Sequence, residues 1–305
     1  MTVRLSVRTA VWRSQIARYV AGLDGLVPVV KGNGYGFGRA RLAEMAADFS
    51  SYVAVGTVHE LAGLPSSLTP IVLTPTLRPP RSTTPVLTVG RQEHISALSG
   101  WDGRVIVKLN TELRRYGGDP ALIDAVRSSG LGFAGVALHP PIAGTDDDRV
   151  SQILAQLPYV PHDTVVWVSH LGPEVFASLP DTHRFRLRVG TALWHGDKSS
   201  MHLEADVLDV RPVRAGVVAG YRSGAIEESG HLVMIGAGTA NGVTELPDGR
   251  SPFHFGRHRM ALHEPPHMHT SMAFVPDGEP LPRIGSWVDV QRPLHMTLVD
   301  EYRWQ

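Results

Sequence analysis

The chain has 305 residues, 43% of them hydrophobic, and a formal net charge of zero. That length suits one large domain or two modest ones with a real core, and the balanced charge points to no nucleic acid and no anionic membrane as partner. Cysteine is absent, which excludes disulfides, thiolate nucleophiles and cysteine-based metal sites; no apolar run approaches the roughly 20 residues that span a bilayer, and the cytoplasm is the expected location.

The opening stretch MTVRLSVRTAVWRSQIARYVAGL is rich in Arg and free of acid. Transit peptides share that composition, but the same residues read as a strand and an amphipathic helix leading straight into the next strand. Short apolar runs then alternate with helix-like segments. Strands are expected at Val27–Lys31, Tyr52–Thr57, Ile71–Thr74, Val86–Val89, Val105–Leu109, Phe133–Leu138, Val165–Ser169 and Phe185–Val189. Helices are expected at Gly38–Ala47, Gln92–Leu98, Pro120–Ser128 and Asp147–Gln156, whereas Pro75–Pro85 reads as loop. Eight buried strands alternating with helices predict an α/β fold, a (β/α)8 TIM-type barrel, compact at roughly 190 residues against a usual ~250.

The pattern changes near Gly196. Strands at His202–Val210, Val217–Tyr221, His231–Ile235, Met260–Leu262 and Ser286–Val290, punctuated by Pro and Gly, predict a C-terminal β domain. The expected domains are a barrel over residues 1–198, whose first strand could pack with the C-terminal domain, and a β domain over residues 199–305.

In a parallel barrel, functional groups gather where strands end. Lys31, Arg115, His139, Ser169 and Arg188 all fall at such ends. Lys31 closes the run VPVV and enters the turn KGNGYGFG, and it is one of three lysines against 26 arginines. A lysine kept at such a place suggests amine chemistry, which guanidinium cannot do, and the aldehyde of pyridoxal 5'-phosphate (PLP) is the obvious partner. The competing reading is a lysine whose ammonium simply reaches solvent. Arg184, Arg186 and Arg188 alternate on one face of a strand, and three arginines facing into a barrel are costly unless they meet anions. His254, His258, His263, His267 and His269 cluster late in the chain; solvated loop histidines are preferred to a zinc site, and no metal is expected.

VVKGNGYGFG, VKLNTELRRYG (Val107–Gly117), RVGTALWHG (Arg188–Gly196) and HTSMAFV (His269–Val275) together resemble the alanine racemase family of fold-type III PLP enzymes. The resemblance runs end to end. It implies that Lys31 forms the internal aldimine and serves as one of two bases at the α-carbon of an amino acid. It implies that Tyr35 holds the cofactor phosphate with the amides near Gly190 and Thr191, with Ser169 and Tyr302 as further phosphate contacts, although Tyr302 also reads as a surface tail residue. By the same resemblance His139 would pack on the pyridine ring, Arg188 would donate to its nitrogen, and Arg115 would orient cofactor and substrate carboxylate. Lys108 matches a lysine that can be carbamylated and so hold that arginine. Met272 falls in the substrate region, followed by Ala273 where the family commonly has Asp. A head-to-tail homodimer is implied as well.

The second base of the family is a tyrosine in a motif that reads here IGAGTANG, Ile235–Gly242. Its position falls on Thr239. A phenol titrates near ~10 and an aliphatic hydroxyl is a far weaker acid, so Thr239 does not replace it unaided. Three readings follow: a racemase-like enzyme with another second base, a one-base PLP enzyme such as a decarboxylase, or a PLP-binding protein without racemase activity.

Overall fold

A computed structural model describes residues 2–305 and divides into two compact units. One is Ile16–Gly196; the other joins the N-terminal segment through Gln15 to Asp197–Gln305. Strand β1 (Val3–Val7) opens the chain, and helix α1 (Thr9–Val20) follows it.

The first unit runs β2 (Leu26–Pro28), α2 (Arg39–Ala46), β3 (Tyr52–Val55), β4 (Thr69–Val72), β5 (Val86–Val89), α3 (Gln92–Ala97) and β6 (Arg104–Lys108). It continues with α4 (Ala121–Arg127), β7 (Gly132–Ala137), α5 (Asp146–Gln156), β8 (Val165–Ser169), α6 (Pro173–Ala177), β9 (Arg184–Val189) and α7 (Thr191–Trp194). The eight strands form one parallel sheet in the order β2-β9-β8-β7-β6-β5-β4-β3. They are short Val-, Ile- and Leu-rich runs buried on both faces, as a helix-covered parallel sheet requires. Val53, Val72, Leu87, Val105, Val136, Val166 and Leu187 are all fully excluded from solvent. The predicted barrel is therefore present. No helix joins β4 to β5, where the Pro/Thr-rich loop was expected.

Two residues close the barrel. Val29 N donates to Val189 O of β9 at 2.8 Å, and Val30 N donates to Ala54 O of β3 at 2.8 Å. A parallel bridge joins Val29 to Ala54. Sequence places Lys31 inside the first barrel strand; the regular strand instead ends at Pro28. The chain there turns from bonding β9 to bonding β3, so Lys31 is the first residue beyond the seam. Trp194 is fully buried at this seam, and its Nε1 donates to Val29 O at 2.8 Å.

The second unit is an antiparallel β structure built on the long strand β10 (Met201–Val213). The small hairpin β11 (Val218–Ala219) and β12 (Gly224–Ala225) follows, then β13 (Gly230–Ile235), β14 (Phe253–Phe255), β15 (His258–Arg259) and β16 (Ala261–Leu262). The last strands are β17 (Ser271–Pro276), β18 (Trp287–Val290) and β19 (Glu301–Trp304). The main order is β15-β14-β18-β10-β13-β17-β16. β1 pairs antiparallel with β10 and parallel with β19, which ties both chain ends into this sheet. Strands β12, β14, β15, β17 and β19 lie outside the strands expected from sequence. Tyr302 is consequently no tail residue: it stands opposite Leu5 in β19 and stacks on Trp304.

Replacing Trp194 by Ala removes a fully buried ring and leaves Val29 O without its donor. Unfolding in urea is expected to show a loss of about 3–5 kcal/mol; a loss below about 1 kcal/mol would contradict the role given to this side chain.

Candidate functional site

The turn after the seam is built for close approach. Gly34, Gly36 and Gly38 all have positive φ, and so does Tyr35 at 54°. At Gly34 a side chain would run into the backbone of Gly38 and Arg39, so only glycine fits. Asn33 Oδ1 accepts from Gly36 N at 3.1 Å and Gly38 N donates to Asn33 O at 3.1 Å, which folds the turn back on itself. The left-handed Tyr35 places its ring in the interior, edge-on to His195 with centroids 5.7 Å apart. Burial pushes the phenol up to about 12. A Cβ added at Gly190 would collide with the Tyr35 hydroxyl. That hydroxyl has no hydrogen-bond partner among the described residues.

Lys31, His139, Ser169, Arg188, Gly190 and Thr191 line one cavity of about 440 Å3 at the ends of the strands. Lys31 is exposed at its mouth. Desolvation still lowers its pKa, Arg115 and Arg188 lower it further by charge, and Glu60 opposes them. Glu60 lies on the short turn Val58–Glu60 and accepts from Gly56 N at 2.8 Å and Gly32 N at 3.1 Å.

Arg188 is anchored by backbone carbonyls. Its Nη2 donates to Leu138 O at 2.8 Å and to Trp167 O at 3.3 Å, and its Nε donates to Val168 O at 3.3 Å. No protein acceptor meets its Nη1 among the described residues. Desolvation lowers the guanidinium to about 10, which leaves it protonated at neutral pH. Ser169 Oγ sits between this guanidinium and His139 Nδ1. Burial, first, and then the charge of Arg188 push the His139 imidazole far below its ordinary pKa, so it is neutral. Its ring faces that of His170, with centroids 4.4 Å apart.

Lys108 is buried, with Nζ 4.1 Å from the centre of the Tyr116 ring. Desolvation lowers its amine to about 7, and Arg115 and Arg188 add to the effect. Arg115 does not line the cavity; it is exposed, and its Nη2 donates to Tyr116 Oη at 3.0 Å. It acts on Lys31 through its charge.

Thr239, Met272 and Tyr302 belong to the other unit. Thr239 is exposed in the turn Thr239–Asn241, and Met272 is half-buried in β17, opposite Met234. The late histidines hold separate partners: His258 pairs with Glu279 at 3.0 Å, His263 bonds Ala219 O and His267 pairs with Glu264 at 2.8 Å. Among the described residues no group of three possible ligands could hold a metal.

Four contributors escape a reading of sequence alone. His170, at φ 67°, donates Nδ1–H to Pro140 O at 2.9 Å, which leaves Nε2 with its lone pair. Tyr19 brings a phenol to the same cavity, and burial raises its pKa. Arg149 lines it too, while Nη1 donates to Ile142 O at 2.8 Å and to Gly144 O at 3.1 Å and so holds the loop after β7. Glu60 is the fourth. Adjacency to Ser169 is a usable signal for His170; the other three come from elements distant in sequence.

Removing the Glu60 charge while keeping its shape, by Glu60→Gln, is expected to lower the pKa of Lys31 further, because Glu60 is the group that raises it. The pH dependence of Lys31 labelling by an amine reagent, read by mass spectrometry, should shift to lower pH; a shift upward would contradict the arrangement.

The N-terminal domain model of alanine racemase matches residues 12–198. No curated protein sequence matches the chain. Among solved structures, the alanine racemase of Bartonella henselae with covalently bound pyridoxal phosphate is similar at a TM-score of 0.74 and 17% identity, covering 99% of each chain. The biosynthetic alanine racemase of Pseudomonas aeruginosa is similar at a TM-score of 0.71 and 19% identity, over 100% of this chain and 99% of its own. At these identities the likeness to solved structures speaks for the fold, and the family follows from the domain match over residues 12–198: the chain belongs to the alanine racemase family.

Proposed function

We propose that the chain is a PLP-dependent, racemase-like enzyme that moves the α-proton of a free amino acid. The observation that carries this reading is the single cavity lined by Lys31, His139, Ser169, Arg188 and the Gly190–Thr191 turn. Its residues fit the cofactor. The unpartnered Tyr35 hydroxyl over Gly190, where no side chain can stand, makes a cradle for a phosphate. The amides at the head of α7 suit the same oxygens. Lys31 would hold the aldehyde carbon, Arg188 would offer the ring nitrogen its remaining guanidinium hydrogens, and the neutral His139 would lie against the ring. When bound, PLP supplies an electron sink for charge left at the α-carbon.

The chain's own groups then have distinct tasks. Lys31 Nζ takes and returns the proton on one face, and its lowered pKa keeps more of the amine neutral near pH 7. Arg188 keeps its proton. Arg188 would therefore hand no proton to a pyridine nitrogen that it met, which would favour proton return over elimination or transamination. The Arg115 charge suits a substrate carboxylate.

The position that the family resemblance gives to a second-base tyrosine holds Thr239 here. Thr239 offers an exposed aliphatic hydroxyl, and three of the nearby histidines are already paired. Thr239 favours the second reading, a one-base enzyme or a PLP-binding protein without racemisation. Tyr19, a phenol that lines the same cavity as Lys31, is the candidate for a second base within the barrel unit. We also take the protein to be a head-to-tail homodimer, for which a monomeric mass by light scattering would be contrary.

The test is exchange of the α-proton with solvent deuterium over D- and L-amino acids, in PLP-supplemented protein. Wild type is expected to exchange one enantiomer faster, Lys31→Ala to lose at least about 100-fold, and Thr239→Tyr to speed the slower enantiomer about tenfold or more. Loss of only one enantiomer's exchange in Tyr19→Phe would assign the second base to Tyr19. A protein that holds PLP and exchanges no amino acid is a binding protein, and the enzyme reading fails.

A further inference from the structure

The site above uses one of the three arginines that alternate along β9. Arg188 reaches the cavity at the strand ends. Arg184 and Arg186, on the same side of the strand, line a second cavity of about 430 Å3 at the opposite mouth, where the strands begin. Arg104, the first residue of β6, and Arg127, the last of α4, line it as well. Four guanidiniums therefore line one cavity in a chain whose net charge is zero.

Their partners are aromatic. The Arg186 guanidinium lies 4.3 Å from the centre of the Tyr52 ring and 5.4 Å from that of Trp167, and Arg127 lies 5.0 Å from that of Phe133. Ring stacking orients a guanidinium plane and leaves its N–H edge free to donate. Among the described residues none of the four arginines forms an ion pair. Asp163, the one carboxylate lining the cavity, pairs with none of them. Arg104, Arg127 and Arg184 are exposed and Arg186 is half-buried, so four positive charges line one open mouth and repel one another with no protein anion between them.

We propose that the N-terminal mouth of the barrel binds a small, multiply charged oxyanion of the polyphosphate or polycarboxylate class. Guanidinium forks match both phosphate and carboxylate oxygens in bidentate fashion. The cavity is large enough for such an ion and too small for a macromolecular segment with its own fold. It lies at the end of the barrel opposite the one where barrel enzymes place their chemistry, so the site binds without reacting. It stands independently of the PLP reading, because none of its lining residues lines the Lys31 cavity.

Isothermal titration of PLP-saturated protein with sodium pyrophosphate and, separately, with citrate tests this at constant ionic strength. Saturable one-site binding of at least one anion is expected, and the preferred anion identifies the class. The double variant Arg104→Gln/Arg184→Gln changes two exposed rim residues, and it should weaken that binding about tenfold or more while leaving the cofactor absorbance unchanged. Arg127→Gln serves as a second variant if the double variant fails to fold, with the same loss in direction. Flat titrations with both anions, or equal affinity in wild type and in the folded variants, would overturn the proposal.

Discussion

The hydrogen bonds of Val29 and Val30 to Val189 and Ala54 do two things at once. They join the first barrel strand to the last one and to the next one, and they fix the residue that follows. A lysine placed in a free loop would have four rotatable bonds and a mobile backbone. Lys31 starts from a backbone held on both sides, with Trp194 locked on Val29 O behind it. The positive-φ turn after it then carries Tyr35 beneath Gly190. Fold closure and site geometry therefore share the same few bonds, and damage to the seam damages both.

Around that point the charge is one-sided. Arg115 and Arg188 act on both Lys31 and Lys108, and Glu60 is the carboxylate that opposes them at Lys31. The result is a pair of amines shifted toward neutrality and a neutral His139. A cluster of positive charge of this kind attracts anions. Neutral amines are nucleophiles and bases, so the mutual repulsion of these positive groups is also what readies the amines for chemistry. The same logic, with aromatic rings in place of carbonyls, recurs at the other mouth of the barrel.

Much of this was legible in sequence because the barrel strands are continuous apolar runs at regular spacing, and because Lys31, His139, Ser169 and Arg188 stand where such runs end. The limits were physical too. Strands β14 and β15 are too short to show a period. β19 earns its place only by pairing with β1, a contact 297 residues distant between Val3 and Asp300 nearby. β17 does alternate, burying Ser271, Ala273 and Val275, but small residues at two of those positions mute the signal. Glu60, Tyr19 and Arg149 reach the site from separate elements, which no local pattern announces. Arg184 and Arg186 were visible as a costly stripe, and only the structure separates them from Arg188.

The central claim is that Lys31, and not another amine, is the group that holds PLP. Borohydride reduction of the PLP-loaded protein followed by peptide mapping tests it directly, since the chain offers only Lys31, Lys108 and Lys198 as lysine targets. The account predicts the pyridoxyl label on the peptide containing Lys31 and its loss in Lys31→Ala. An unlabelled Lys31 in protein saturated with PLP, or a label confined to Lys108 or Lys198, would contradict it.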